Sequence, residues 1–454
     1  MDSGAAMRLF PKPLEIGDEE GFTSEKDIFN RKPLGDRMTR LVSEVEDPLM
    51  IAFDGQWGSG KTTFLKMWAG ELRKAGFPVI FLDAFETDYL GDPFSVLARE
   101  IVELSQKSKH IEERVVNKIK EKSAQIGKLL LRTSVGLGAK ILIRGASLSL
   151  ADISDVVDLK ESFSEVASAE VDNYIDEIFS GFRAEFGAVH DFRNILSDLP
   201  IKIAKGGSVK PVIFIVDELD RCKPTYALQM LERMKHFFLV ENVHFVLGVK
   251  QAQLESAVRL SYGESVDASD YLLKFINIRI LNIENLNYDR GELNKYAEFL
   301  LDGVRGSLSE RHRQVASVAM EIFIRILRIK GKSFRAMEHA FSLLKLSLIF
   351  VEDNIFKDGE LIAGLILMKI LEPDLFTKAK NGKITYDEVG NFLGFNVAMR
   401  SDSGLGEDVW FALLHEEGAQ EWKRYSDRMF RFSLRERDGV IPHLANNVID
   451  SFGI

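Results

Sequence analysis

At 454 residues and 46% hydrophobic composition, the chain is long enough for a large apolar core with a second domain beside it, and too balanced in composition to be intrinsically disordered. A net charge of −10 gives no global attraction for nucleic acid. The single cysteine, Cys222, excludes an intrachain disulfide framework and a cysteine-based zinc site, and the eight histidines show no ligand spacing.

Residues 1–24 read as an N-terminal segment. Met1 to Phe10 lacks the apolar stretch of a secretory signal, which points to a cytoplasmic setting. From Asp27 to Val45, the residues Ile28, Leu34, Met38, Leu41, Val42 and Val45 recur mostly at spacings of three and four, predicting a helix. The apolar run Leu49 to Phe53 reads as a strand. Directly behind it, Gly55-Gln56-Trp57-Gly58-Ser59-Gly60-Lys61-Thr62 completes the pattern G-x-x-x-x-G-K-[ST], and the helix-like Thr63 to Ala69 follows. Both flanks matter, because the glycines let backbone N–H groups wrap a phosphate chain at the positive end of the helix. Gly55 through Thr63 are therefore expected to cradle a nucleotide. Lys61 would reach its β and γ phosphates as a point charge, and Thr62 would place its hydroxyl on Mg2+.

Val79 to Leu82 predicts the next strand, followed by Asp83, Glu86 and Asp88. Asp83 reads equally as a phosphate-facing group and as a cap or turn residue. Asp92-Pro93 predicts a helix start, carried through Leu104. Residues 105–208 break the strand–helix alternation and read as a helical insertion. Within it, Leu129 to Leu150 is apolar but holds Arg132, Lys140 and Arg144. Three central cations would cost about 7–10 kcal/mol in a bilayer, roughly twice what the aliphatic residues return. With Lys118, Lys120, Lys122 and Lys128 upstream, 118–150 reads as a packed insertion or as a peripheral contact with anionic lipid or an acidic partner. Glu161 to Glu170 is Ser- and Ala-rich and expected to be mobile. Lys205-Gly-Gly-Ser208 marks the exit.

From Pro211 to Val216 the chain is a continuous apolar run, β-branched and aromatic, as in a strand buried on both faces, and it ends in Asp217-Glu218-Leu219-Asp220-Arg221. A nucleotide hydrolase needs a carboxylate at such a strand end. Asp217 is assigned to the Mg2+ shell and Glu218 to activation of the lytic water. Asp220 and Arg221 remain open between structural support, nucleotide contact and contact with an adjoining subunit. A helix over 225–239, a strand over 243–249, helices over 251–260 and 269–275 and a strand Ile276 to Ile280 follow. Short strands alternating with helices predict a parallel sheet with ligand at the carboxyl ends of its strands. After about 290 helical patterns dominate, including Val315 to Ile329 and Phe334 to Phe350. Trp410 and Trp422 read as core or interface anchors.

The stretch Phe214 to Pro224, with its following helix and the strand Val243 to Val249, resembles the KAP family of P-loop NTPases, as do Phe81 to Phe94 and Tyr271 to Ile276. The resemblance covers roughly residues 25 to 345. It implies an α/β fold, a P-loop NTPase of the additional-strand division, while the pattern of strands and helices itself divides the chain into a parallel-sheet core in 25–104 and 209–285, a helical insertion at 105–208 and a mainly helical C-terminal domain over 286–454. The resemblance implies ATP and Mg2+ as cofactors, distant kinship with AAA+ and STAND ATPases, action at the inner face of membranes and, for some bacterial members, phage exclusion. Two departures stand out: Lys250 follows the strand after which many members carry Asp, and the membrane helices that many members insert between the two motifs are not evident. Related ATPases suggest Arg335, at the start of a helix, as a γ-phosphate sensor, against the reading as an ordinary surface arginine.

The leading expectation is a nucleotide-driven switch or assembly motor with a homo-oligomeric or protein partner. Arg221 or Arg259 would be the candidate to complete a neighbour's site. A non-hydrolysing scaffold is the alternative. A small-molecule kinase is disfavoured because Glu218 beside Asp217 suits water activation.

Overall fold

The computed structural model describes residues 14–135, 187–282, 291–302, 309–331, 333–350, 359–395, 407–415 and 437–451. In chain order the first part of the molecule runs α1 (Lys32–Glu44), β1 (Met50–Asp54), α2 (Lys61–Lys74), β2 (Val79–Asp83), α3 (Ala84–Thr87), α4 (Pro93–Lys107) and α5 (Glu113–Val135). Residues 187–204 are helical. Then come β3 (Val212–Asp217), α6 (Pro224–Arg233), β4 (Val243–Val249), α7 (Gln251–Tyr262), α8 (Ala268–Leu273) and β5 (Ile278–Leu281).

The five strands form one sheet in the order β2-β3-β4-β1-β5, with every pairing between them parallel. Every residue of β1, β3 and β4 is buried, because helices cover both faces and a parallel sheet leaves no wet side. Alternate side chains sort to the two faces. Ile51 and Phe53 of β1 join Ile213, Ile215 and Val246 against α1 and α2, where Phe53 stacks on Phe64 at 4.7 Å. Met50 and Ala52 join Phe214, Phe245 and the aromatic group Phe94, Phe192 and Phe238 on the other face. The register sets Asp83 level with Asp217, and Asp217 level with Gly248, so the strands end along one lip.

The remaining helices include α9 (Glu292–Asp302), α10 (Glu310–Ile329), α11 (Phe334–Phe350) and α12 (Gly359–Leu371), whose apolar residues form a separate core in which Trp410 is fully buried. Trp422 lies outside the described residues, as do Glu161 to Glu170 and the part of the apolar stretch beyond Val135. Among the described residues no helix is long and apolar enough to cross a membrane.

Three elements differ from the sequence expectation. α1 begins at Lys32 rather than Asp27, because Pro33 suits a first helical turn and the Asp27 carboxylate accepts the Arg31 and Lys32 amides at 2.7 and 2.9 Å. The helix expected over 225–239 gives way after Arg233 to a wider turn, closed by Leu239 N donating to the Met234 carbonyl at 2.9 Å. β5 starts at Ile278 rather than Ile276. Ile276 N still closes α8 on Leu272, and Asn277 bridges to β1 by accepting the Met50 amide at 2.8 Å. The helix at Asp92-Pro93 forms with Asp92 as cap, accepting the Phe94 and Ser95 amides, and runs on to Lys107.

One buried histidine makes the fold sensitive to acid. His244 of β4 is fully buried; its Nδ1 accepts the Leu49 amide at 3.2 Å, while Nε2 faces the Val42 and Val45 backbone without a well-formed bond. Burial pushes the imidazole down to about 4. The unfolded chain, with an ordinary imidazole near 6.5, therefore binds the proton first as pH falls. Stability should be full above about pH 6.5 and decline towards pH 4 by up to about 1.4 kcal/mol per pH unit from this group. Urea unfolding at pH 7 and pH 5 measures it, and His244→Gln should remove that component of the slope.

Candidate nucleotide site

The loop Gly55–Gly60 joins β1 to α2, and its conformation depends on two glycines in the left-handed region, Gly58 at φ 76° and Gly60 at φ 79°. The Lys61 ammonium is held over the loop by the Gly55 and Gln56 carbonyls at 2.7 and 3.0 Å. Burial pulls its pKa down, while Asp220, Asp217 and Asp54 oppose that shift. On the neighbouring strand end, Asp217 is 1% exposed. Its Oδ1 accepts the Glu218 amide at 3.0 Å, Thr62 favours its charged form, and Oδ2 is buried with no hydrogen-bond partner. Burial pushes its carboxyl up. A buried cation beside a buried carboxylate with an open oxygen suits a ligand that carries phosphate charge and a divalent cation together. Among the described residues no three His, Cys, Asp or Glu could hold a metal alone.

Glu218 takes a left-handed conformation, φ 59° and ψ 23°, unusual for a side chain with a Cβ. The turn that follows is closed by Arg221 N donating to the Glu218 carbonyl at 3.0 Å, and Arg221 pairs with the Glu218 carboxylate at 2.8 Å. Burial pushes Glu218 up, and Arg221 opposes it. Asp220, left open by the sequence, accepts the Trp57 indole N–H at 2.5 Å, and the Lys250 ammonium stands 5.0 Å from the Trp57 ring. The phosphate loop, the turn after β3 and the end of β4 are thereby tied into one unit.

Gly58, Gly60, Lys61, Thr62, Thr63, Trp57, Asp217, Glu218 and Arg335 all line one cavity of about 440 Å3, within the range of small-molecule sites. Arg335 stands in the first turn of α11, so close that a Cβ on Gly58 would lie 2.6 Å from its Cβ. Phe29, Tyr296 and Phe334 line it too, with Phe29 and Phe334 stacked at 4.8 Å. Gly55, Gln56 and Ser59 are not among the lining residues: the first two hold Lys61 by their carbonyls, and Ser59 turns inward to Asn282, whose Nδ2 reaches its hydroxyl at 3.0 Å. Asp83 caps α3, accepting the Phe85 and Glu86 amides, and so resolves the sequence ambiguity towards the cap. Arg259 pairs with Glu255 on its own helix and does not line the cavity.

Several supporting residues escaped the sequence. Arg31 is 5% exposed, donates to the Ser59 carbonyl at 3.1 Å and pairs with Glu292 of α9. Asp54 ends β1, accepts the Gln251 amide at 2.8 Å and pairs with Arg279 of β5. Asp54 alone had a readable signal, since an acidic residue closing the strand before a phosphate loop repeats what Asp83 and Asp217 do on theirs.

A parallel sheet with a glycine loop on one strand end and an acidic turn on another in the same cavity defines a P-loop nucleotide-binding fold. The KAP family P-loop domain matches residues 31–287, more than half of the chain, and the chain belongs to that family. No curated protein matches it. Among solved structures, the ORC2 protein of Aeropyrum pernix, in ADPNP and ADP complexes, aligns over 98% of this chain and 97% of its own at 11% identity and a TM-score of 0.35. A DNA replication initiation factor aligns over 95% and 96% at 12% identity and a TM-score of 0.27.

Proposed function

We propose that the protein is a Mg2+-dependent ATPase that acts as a nucleotide-driven switch or assembly motor. The observation that carries this reading is the convergence of Lys61, Thr62, Asp217 and Glu218 on one cavity closed by α9 and α11. Bound Mg2+-ATP would supply the reactive γ-phosphoryl group, whose transfer to water gives ADP and inorganic phosphate. The Gly58 and Gly60 backbone and Lys61 would hold the phosphates, Thr62 and Asp217 the metal, and the Phe29, Tyr296 and Phe334 rings the base. Glu218 would take the proton of the attacking water, and Arg335 would sense the γ-phosphate from the helical side. In this reading the core comprises 25–104 and 209–285, interrupted by an insertion at 105–208, and 286–454 responds to the nucleotide. Peripheral membrane contact through 118–150 is read from the cations Lys118, Lys120, Lys122 and Lys128, a cytoplasmic setting and a homo-oligomeric or protein partner belong to the same reading, and an antiphage role follows from the family resemblance alone.

The test is equilibrium binding of Mg2+-ATP with phosphate release from the full chain. Lys61→Ala should weaken ATP binding about 10- to 100-fold, the range of a charge-assisted phosphate contact worth about 1.5–3 kcal/mol. Equal affinity in wild type and Lys61→Ala would sink the proposal. A chain that binds ATP tightly without releasing phosphate would instead be the scaffold.

A further inference from the structure

Arg221 has no part in the chemistry proposed so far, although it lines the same cavity and pairs with the very carboxylate assigned to the water. Its backbone is fixed. Arg221 N donates to Glu218 O at 3.0 Å, Cys222 N donates to Leu219 O at 3.3 Å, and the whole turn is one short helical ring ending at Arg221. Its side chain is less confined, at 31% exposed against 18% for Glu218. Arg221, Glu218 and Lys61 line the same cavity, so the guanidinium and the phosphate-binding ammonium share one space. Arg31, the other guanidinium beside the loop on the sheet side, is committed to the Ser59 carbonyl and Glu292.

We propose that Arg221 is a catalytic residue acting within its own chain, exchanging the Glu218 carboxylate for the γ-phosphate when a nucleoside triphosphate binds. The inference rests on the nucleotide reading above and names how the site would distinguish tri- from diphosphate. A guanidinium prefers the partner that offers more negative charge and a bidentate edge, and a γ-phosphate offers more of both than one carboxylate. The exchange does two things at once. It places a cation on the group whose charge must be spread in the transition state, and it releases Glu218 to accept a proton. With diphosphate bound, the pair re-forms and the base is again occupied.

The experiment compares Mg2+-ADP with a slowly hydrolysed ATP analogue by calorimetry, alongside phosphate release from ATP, in full-chain wild type, Arg221→Ala, Arg221→Lys, Glu218→Gln and the Glu218→Gln/Arg221→Ala double variant. Arg221→Ala should leave ADP affinity unchanged, lose about tenfold of the preference for triphosphate and lower turnover by about 10²-fold or more. Arg221→Lys should recover part of the preference. Glu218→Gln should tighten triphosphate binding, since a neutral amide no longer competes for the guanidinium, and the double variant should cancel that gain. An unchanged tri- to diphosphate ratio with unchanged turnover in Arg221→Ala would reduce the residue to structural support. Faster turnover would make it a brake only. Either result overturns the proposal while leaving the ATPase reading intact, whereas wild type that binds neither nucleotide removes both.

Discussion

Glu218→Gln is expected to retain nucleotide and stop turning it over, with phosphate release down about 10²- to 10⁴-fold, the usual worth of a positioned general base. The substitution is nearly isosteric. It keeps the left-handed backbone at φ 59° and the turn closed by Arg221 N on the residue-218 carbonyl, so the loss would belong to the carboxylate and not to the fold. A pH profile separates the two further. Burial and the neighbouring Asp217 push Glu218 above the usual carboxylate range, and Arg221 only partly offsets them. A base with a raised pKa is lost as pH falls through that raised value. Wild-type turnover should therefore fall on the acid side earlier than an ordinary carboxylate would dictate, and the variant should lack that limb. Retention of labelled ATP on a filter, measured beside phosphate release, gives the direct readout. Unchanged turnover in Glu218→Gln would move the base elsewhere.

A large effect on the folded state is expected at Gly248, in the carboxyl half of β4. A Cβ there would lie 2.2 Å from Asp217 Oδ1 and 2.6 Å from Leu65 Cδ1. Neither neighbour has room to yield, because Asp217 is 1% exposed and Leu65, on the buried face of α2, is fully buried. Gly248→Ala should cost about 1–3 kcal/mol, as overpacking does, and should displace the carboxylate that Thr62 faces. Urea unfolding reports the first consequence, and the Mg2+-dependent part of ATP binding reports the second. If the clash with Asp217 is the cause, adding Asp217→Ala should recover part of the stability, and the two changes should be non-additive. Additive losses would place the strain at Leu65 instead.

The apolar runs of β1, β3 and β4 were legible because burial on both faces removes the alternation that makes an exposed strand ambiguous. The phosphate loop was legible because its chemistry is written in consecutive residues. What could not be read were links made across the chain: Arg31 to Glu292, Asn282 to Ser59, Trp57 to Asp220. Each is an ordinary polar residue locally, and only the sheet order, which seats β5 beside β1, brings Asn282 under the loop. The α1 boundary shifted for a local reason that the apolar spacing masks, since Asp27 uses its carboxylate for capping. Arg335 was placed by resemblance and does stand at the cavity, but the close approach of its first helical turn to Gly58 has no signature in the sequence.

That contact has a mechanical corollary. With α11 seated directly on a left-handed glycine of the phosphate loop, the loop has no slack on that side, and it can widen there only if α11 gives way. A crosslink that pins α11 down is therefore expected to slow exchange of ligand in both directions without altering the resting affinity, and unchanged exchange rates would show that ligand passes the loop elsewhere.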